Sequence, residues 1–201
     1  MKSFGLAPPH GLDNGSGRTR WLLVVMVYMF GTLLMVGNSM AQDKSAQKTS
    51  PAEIQENIPD AALVGEDMFT YYFWDVYLAS LYAPSGKFDI DSSFALRLKY
   101  QRDLEGKKIA QRSIDEIKKQ SSPSKEQASM WLAKMEAIFP DVSDGDVLTG
   151  IALKDGTSIF YFNGEKVDSI DDAEFTTQFF NIWLGEKTSE PKFRKALLGN
   201  S

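Results

Sequence analysis

The chain has no cysteine, and its single histidine, His10, falls in an N-terminal segment unlike everything after it. From Gln42 onward there is neither thiol nor imidazole. That excludes a Cys/His zinc site, a thiolate nucleophile and a Ser-His-Asp triad. Without disulfides, a hydrophobic core must hold the fold. The usual equipment for phosphate chemistry is missing too, because Gly150 and Gly156 are too isolated to cradle a phosphate at a strand-to-helix turn. Asp141, Asp144 and Asp146 gather around Gly145 but lack the spacing and the late bidentate glutamate of a calcium loop. They read as a solvated turn, so neither a metal nor a cofactor is expected.

What is present begins with a leader. Lys2, Arg18 and Arg20 outweigh Asp13, the apolar run Trp21 to Val36 follows, and Ser39 and Ala41 are spaced as at a signal-peptidase site. Residues 1–41 therefore read as a cleaved signal peptide rather than a permanent anchor, for which the run is slightly short. About 160 residues remain, enough for one domain with a sizeable core. The leader takes three bases and one acid from 22 and 27, leaving 19 against 26, or about −7. An acidic protein is poorly suited to nucleic acid, whose phosphates demand basic groups, and the membrane is expected to matter only through the leader.

Residues 42–60 are polar and rich in Ser, Lys, Gln and Pro, which predicts a flexible linker before a domain at 61–201. Pleat-favouring residues from Ala62 to Ala83 predict a short strand, a break at Gly65-Glu66-Asp67, and a longer strand from Phe69 to Tyr82. Phe94 to Arg102 alternates with period two, with Phe94, Leu96, Leu98 and Tyr100 on one face. Two helices follow, Gly106 to Gln120 with a stripe of Ile109, Ser113, Ile114 and Ile117, and one opened by the capping box Ser124 to Gln127 and ended by Pro140. Strands at Asp146 to Leu153 and Thr157 to Phe162 lead through Asn163-Gly164 into Lys166-Val167. Asp171 or Asp172 caps a helix ending at Gly185, and Ser189 is expected to cap the last. Strands and helices come in blocks, which predicts an α+β domain with helices on an antiparallel sheet.

Two groups of residues are candidates for a site. The aromatics between Phe69 and Tyr82 lie on both faces of their strand, so both sides are expected to be covered; a core role suits most, and Tyr72 and Tyr77 are candidates for a cleft. Arg97, Arg102 and Arg112 could receive a carboxylate through their bidentate forks. Arg102 shares the face of Tyr100, an odd place for a charge without a partner, although Asp103 could pair with it at the strand end. The expected ligand-binding set is Tyr72, Tyr77, Tyr100, Arg102 and Arg112.

Phe73-Trp-Asp-Val-Tyr-Leu-Ala-Ser-Leu-Tyr-Ala-Pro84 resembles a strand of the chalcone isomerase-like family, especially its exported bacterial branch. So do Tyr100-Gln-Arg-Asp103, Ile138-Phe-Pro-Asp141, and the stretch from Phe180 through Pro191 to Gly199, with similarity from about Val64 to Gly199. The resemblance implies an open-faced β-sandwich, a large antiparallel sheet covered by a layer of helices, with an elongated apolar cleft between them. In the family's enzymes that cleft closes a flavanone ring without a cofactor; in relatives without that activity it holds fatty acids, an arginine and a tyrosine receiving the carboxylate. The family's catalytic arginine follows a glycine, but here that stretch is Gly65-Glu66-Asp67-Met68. Its threonine aligns with Tyr72, and its helical tyrosine and asparagine fall near Arg112 and Lys119. A cyclase needs a cation poised where the enone oxygen gains charge. The expectation is a periplasmic, non-catalytic binder of a small apolar or fatty-acid-like ligand. The alternatives are a cofactor-free isomerase or intramolecular lyase using Tyr100, Arg102 and Arg112 on an enone, and an interaction protein whose cleft is filled by its own side chains.

Overall fold

The period-two stretches of the chain pair in sequence order into a six-stranded antiparallel sheet: β1 Ala61–Tyr71, β2 Trp74–Pro84, β3 Phe94–Tyr100, β4 Val147–Ala152, β5 Thr157–Phe162 and β6 Glu165–Asp171. The computed structural model describes residues 50–200; the expected signal peptide and residues 42–49 of the expected linker lie outside them. Helices α2 Gly106–Gln120, α3 Lys125–Ile138, α4 Ala173–Leu184 and α5 Pro191–Leu197 contribute to one main core with the sheet, while α1 Ala52–Asn57 packs in a second, smaller cluster. The alternation along β3 sorts its side chains between the two. Phe94, Leu96, Leu98 and Tyr100 enter the main core and Ala95 the smaller one. Strand β4 is buried along its whole length because both faces are covered. None of the described helices is long and apolar enough to cross a membrane.

Helix termini follow their caps. Ser124 Oγ accepts the Gln127 amide at 3.1 Å, and Asp172 accepts the Phe175 amide at 3.0 Å and the buried Trp131 indole N–H at 2.9 Å. The Asn163-Gly164 turn has φ of 51° and 85°, the two positive values a tight two-residue hairpin requires.

Four expectations are corrected. Residues 50–60 are not a linker: Ile54 and Ile58, one helical turn apart, are 0% and 3% exposed against Tyr82, Ala95 and Ile151. Without α1 that face of the sheet would meet water, so the folded unit starts before Ala61. No break falls at Gly65. Strand β1 runs through it with a bulge, and only glycine fits, since a Cβ would overlap the Ala196 and Leu197 carbonyl oxygens of α5. The chain reverses instead at Tyr72-Phe73, with Tyr71 paired to Trp74. The aromatics there are therefore not covered on both sides; Tyr72 and Phe73 are 78% and 92% exposed. Finally, Glu190 occupies the N-cap position of α5, and Ser189 instead donates its hydroxyl to Glu116 at 2.6 Å.

Candidate ligand-binding site

Between the sheet and the helical layer lies a cavity of about 550 Å³, within the size range of small-molecule sites. Its own side chains do not fill it, which removes the closed-cleft alternative. Leu98 and Tyr100 of β3, Tyr77 of β2 and Leu148 of β4 form its floor. Ile109 and Ser113 of α2 face Phe179, Ile182 and Trp183 of α4, and Phe193 of α5 closes one side. The space exists partly because α2 places the small Ser113 one turn from each of Ile109 and Ile117, where another branched side chain would fill it. The Ser113 hydroxyl is satisfied by the Ile109 carbonyl at 2.9 Å.

The tyrosines are held by ring packing. Tyr77 stacks on Phe69, with ring centroids 5.1 Å apart, and meets Tyr100 edge-on at 5.8 Å. The Trp183 indole N–H donates to the Tyr77 hydroxyl at 3.0 Å, leaving the phenolic proton of Tyr77 to donate onward. Burial pushes both tyrosine pKa values up; at Tyr77 the Trp183 bond opposes the rise without cancelling it. Both are neutral donors at physiological pH. Among the described residues the Tyr100 hydroxyl has no hydrogen-bond partner, although the ring is 2% exposed.

The two arginines of the cavity differ. Arg112 pairs with buried Glu116 at 2.6 Å, and Lys119 and Ser189 bond the same carboxylate at 2.8 and 2.6 Å. Burial alone would raise the Glu116 pKa, but the hydrogen bonds from Lys119 and Ser189 and the Arg112 charge outweigh it and hold the carboxyl below its ordinary range. Arg102 makes no ion pair among the described residues, with Asp103 or any other acid, and its guanidinium lies 4.7 Å from the Trp74 ring centroid. Its N–H fork remains available to an anion.

Tyr77, Tyr100, Arg102 and Arg112 thus line one cavity, and Tyr72 does not. Tyr72 stands in solvent at the β1–β2 turn while its neighbour Tyr71 reaches the cavity. The difference comes from the reversal at Tyr72-Phe73, where a continuous strand was expected, since one residue along a strand changes the face. Glu116, Ser189 and Trp183 escaped the sequence reading. The spacing of Glu116, four residues after Arg112 on α2, was the signal that could have found it. From β1 the cavity receives Phe69 and Tyr71 but no cation, and Glu66 bonds Ser80. No group of acids or histidines among the described residues could hold a metal.

The family model for chalcone isomerase-like proteins matches residues 51–199. The chain belongs to the chalcone isomerase-like family. Its match begins at α1, in agreement with the early start of the folded unit. An uncharacterized protein of Haemophilus influenzae is 32% identical over 139 residues, covering 69% of this chain and 68% of that protein. The crystal structure of a fatty-acid binding protein of Arabidopsis thaliana superposes with a TM-score of 0.55 at 13% identity, over 70% of this chain and 88% of that one. At that identity the likeness shows the fold alone: the sheet with its layer of helices is the chalcone isomerase-like architecture.

Proposed function

We propose that this chalcone isomerase-like domain is a non-catalytic binder of a small apolar ligand with a carboxylate, a fatty-acid-like molecule, and that it acts after export, in the periplasm. The observation that carries the reading is an apolar cavity of about 550 Å³ bordered by two neutral tyrosines and by Arg102, which has no ion pair among the described residues. Apolar walls favour an alkyl chain, and a guanidinium with neighbouring hydroxyl donors suits a carboxylate. The fatty-acid binding activity of the Arabidopsis protein with the same fold supports the ligand class. The leader pattern in residues 1–41 supports export, and membership of an exported bacterial branch is part of the same proposal.

The test is mass spectrometry of protein purified from the periplasm of an expressing cell. An adduct of fatty-acid size in the native spectrum is expected, and a clean apo mass would overturn the binding reading. The denatured mass checks cleavage after Ala41 separately.

A second reading has one observation in its favour. Tyr100, Arg102 and Arg112 line the same cavity, as a cofactor-free isomerase or intramolecular lyase acting on an enone would require. Two features oppose it: the Arg112 charge is taken up by Glu116, and β1 supplies no cation. Enone turnover abolished by Arg112→Ala would establish it.

A further inference from the structure

The described residues include seven large hydrophobic side chains in solvent, and four are consecutive: Tyr71, Tyr72, Phe73 and Trp74, exposed by 51, 78, 92 and 60%. The other three, Ile90, Met130 and Val167, lie singly in a loop, a helix and an edge strand, as scattered surface residues do. The four form the tip of the β1–β2 hairpin. A two-residue reversal is normally built from Asn, Asp or Gly, yet here Tyr72 holds φ at 55°, a region that penalises a bulky side chain. The chain bears that strain and projects aromatic rings into water, which core packing does not explain.

We infer that this tip docks on a lipid bilayer and sets the mouth of the cavity against it. Three observations favour a membrane over a protein partner. Tyr and Trp are the residues that settle at the membrane–water interface, where an apolar ring and a polar edge are both satisfied. The guanidinium of Arg102 lies over Trp74, placing a cation at the level where an inserted indole would meet lipid phosphates. Along the cavity Lys108 is paired with Glu105 and Arg112 with Glu116, while exposed Asp75 and Asp103 lie near Arg102, so both signs of charge are present, a mixed field that suits a zwitterionic headgroup. The tip is also continuous with the cavity, since Tyr71 and Arg102 belong to both. An apolar ligand leaving the bilayer beside the tip would reach the cavity without crossing bulk water. This deepens the ligand-binding reading and rests on it for the cargo, although docking itself does not.

Trp74 provides a built-in reporter, because Trp131 and Trp183 are 0% and 9% exposed. The full chain carrying Trp21→Phe, so that the leader gives no signal, is mixed with phosphatidylcholine vesicles whose acyl chains are brominated. Quenching and a blue shift of the emission are expected, both absent when Trp74→Phe is added. The pair Tyr72→Ser and Phe73→Ser should weaken the vesicle titration about tenfold or more with an unchanged melting temperature. Emission unmoved by vesicles would overturn the proposal. So would a titration unchanged by the serine pair, which would assign binding to the leader. A blue shift that depends on protein concentration without lipid would also overturn it, by assigning the tip to a second copy. Docking that persists in protein with a clean apo native mass would support the membrane proposal while sinking the ligand reading.

Discussion

Arg102 and Arg112 both reach the cavity, but only one is free to bind. Glu116 already neutralises Arg112, so a ligand carboxylate would have to compete with a partner at 2.6 Å. Among the described residues, Arg102 gives up only an aromatic contact. A hydrogen bond to a charged group contributes about 1.5–3 kcal/mol, so Arg102→Ala should weaken a long-chain fatty acid about 10- to 100-fold. Arg112→Ala should change affinity less than about fivefold, because a guanidinium already paired with Glu116 at 2.6 Å offers a second carboxylate at most about 1 kcal/mol. Displacement of a fluorescent fatty acid measures both, and the reverse ranking would move the anchor to α2. Glu116 acts differently, joining α2 to the segment before α5. Its folded pKa is depressed, so its contribution is fully present above the unfolded value near 4.5 and is lost as pH falls through the lower folded value. Wild type should therefore exceed Glu116→Gln in stability at pH 7, with the gap narrowing below about pH 4.5. Urea denaturation from pH 7 to 3 follows it, and a gap independent of pH would show that the charge of Glu116 is irrelevant.

At the scale of elements, the β1–β2 hairpin holds the clearest conflict between local preference and observed structure. A left-handed conformation costs an L-residue about 1–2 kcal/mol, and asparagine tolerates it better than tyrosine. Tyr72→Asn should therefore raise stability by about 0.5–1 kcal/mol, read from the urea midpoint. A loss instead would mean that the edge-on packing of Tyr72 against Tyr71, at 4.7 Å, outweighs the backbone strain. The same conflict explains why this hairpin was illegible in the sequence. Nothing between Phe69 and Tyr82 marks a turn, and Gly65, which resembles one, serves instead as a close-approach site for α5. Helix α1 was missed because it has six residues and no side-chain cap, only the pair Ile54 and Ile58 betraying it. Where periodicity was strong the elements were legible. Helix α2 spans Gly106–Gln120 as its stripe predicts, and β3 alternates as its parity predicts. Parity likewise led to Tyr100 and Arg102, whereas Ser189 was beyond it, because its bond to Glu116 joins residues 73 positions apart.

In the whole molecule, the meander sheet has two faces with different duties. One rests on α1 and is packed closed around Tyr82 and Ile151. The other carries four helices and keeps a cavity that a protein of this size could have filled with larger side chains. An unfilled apolar volume forgoes contacts, so a ligand that restores them must stabilise the folded state by mass action. At a hundredfold excess over Kd the gain is about 2.7 kcal/mol, which for a domain of this size raises Tm by about 5–10 °C. Thermal unfolding with saturated fatty acids of increasing length should therefore show a shift that grows with chain length and then declines once the chain outgrows the cavity. Arg102→Ala should shrink the shift at every length, since the anchor serves them all alike. A uniform shift regardless of length would indicate surface adsorption, and no shift at any length would turn attention to the enone reading.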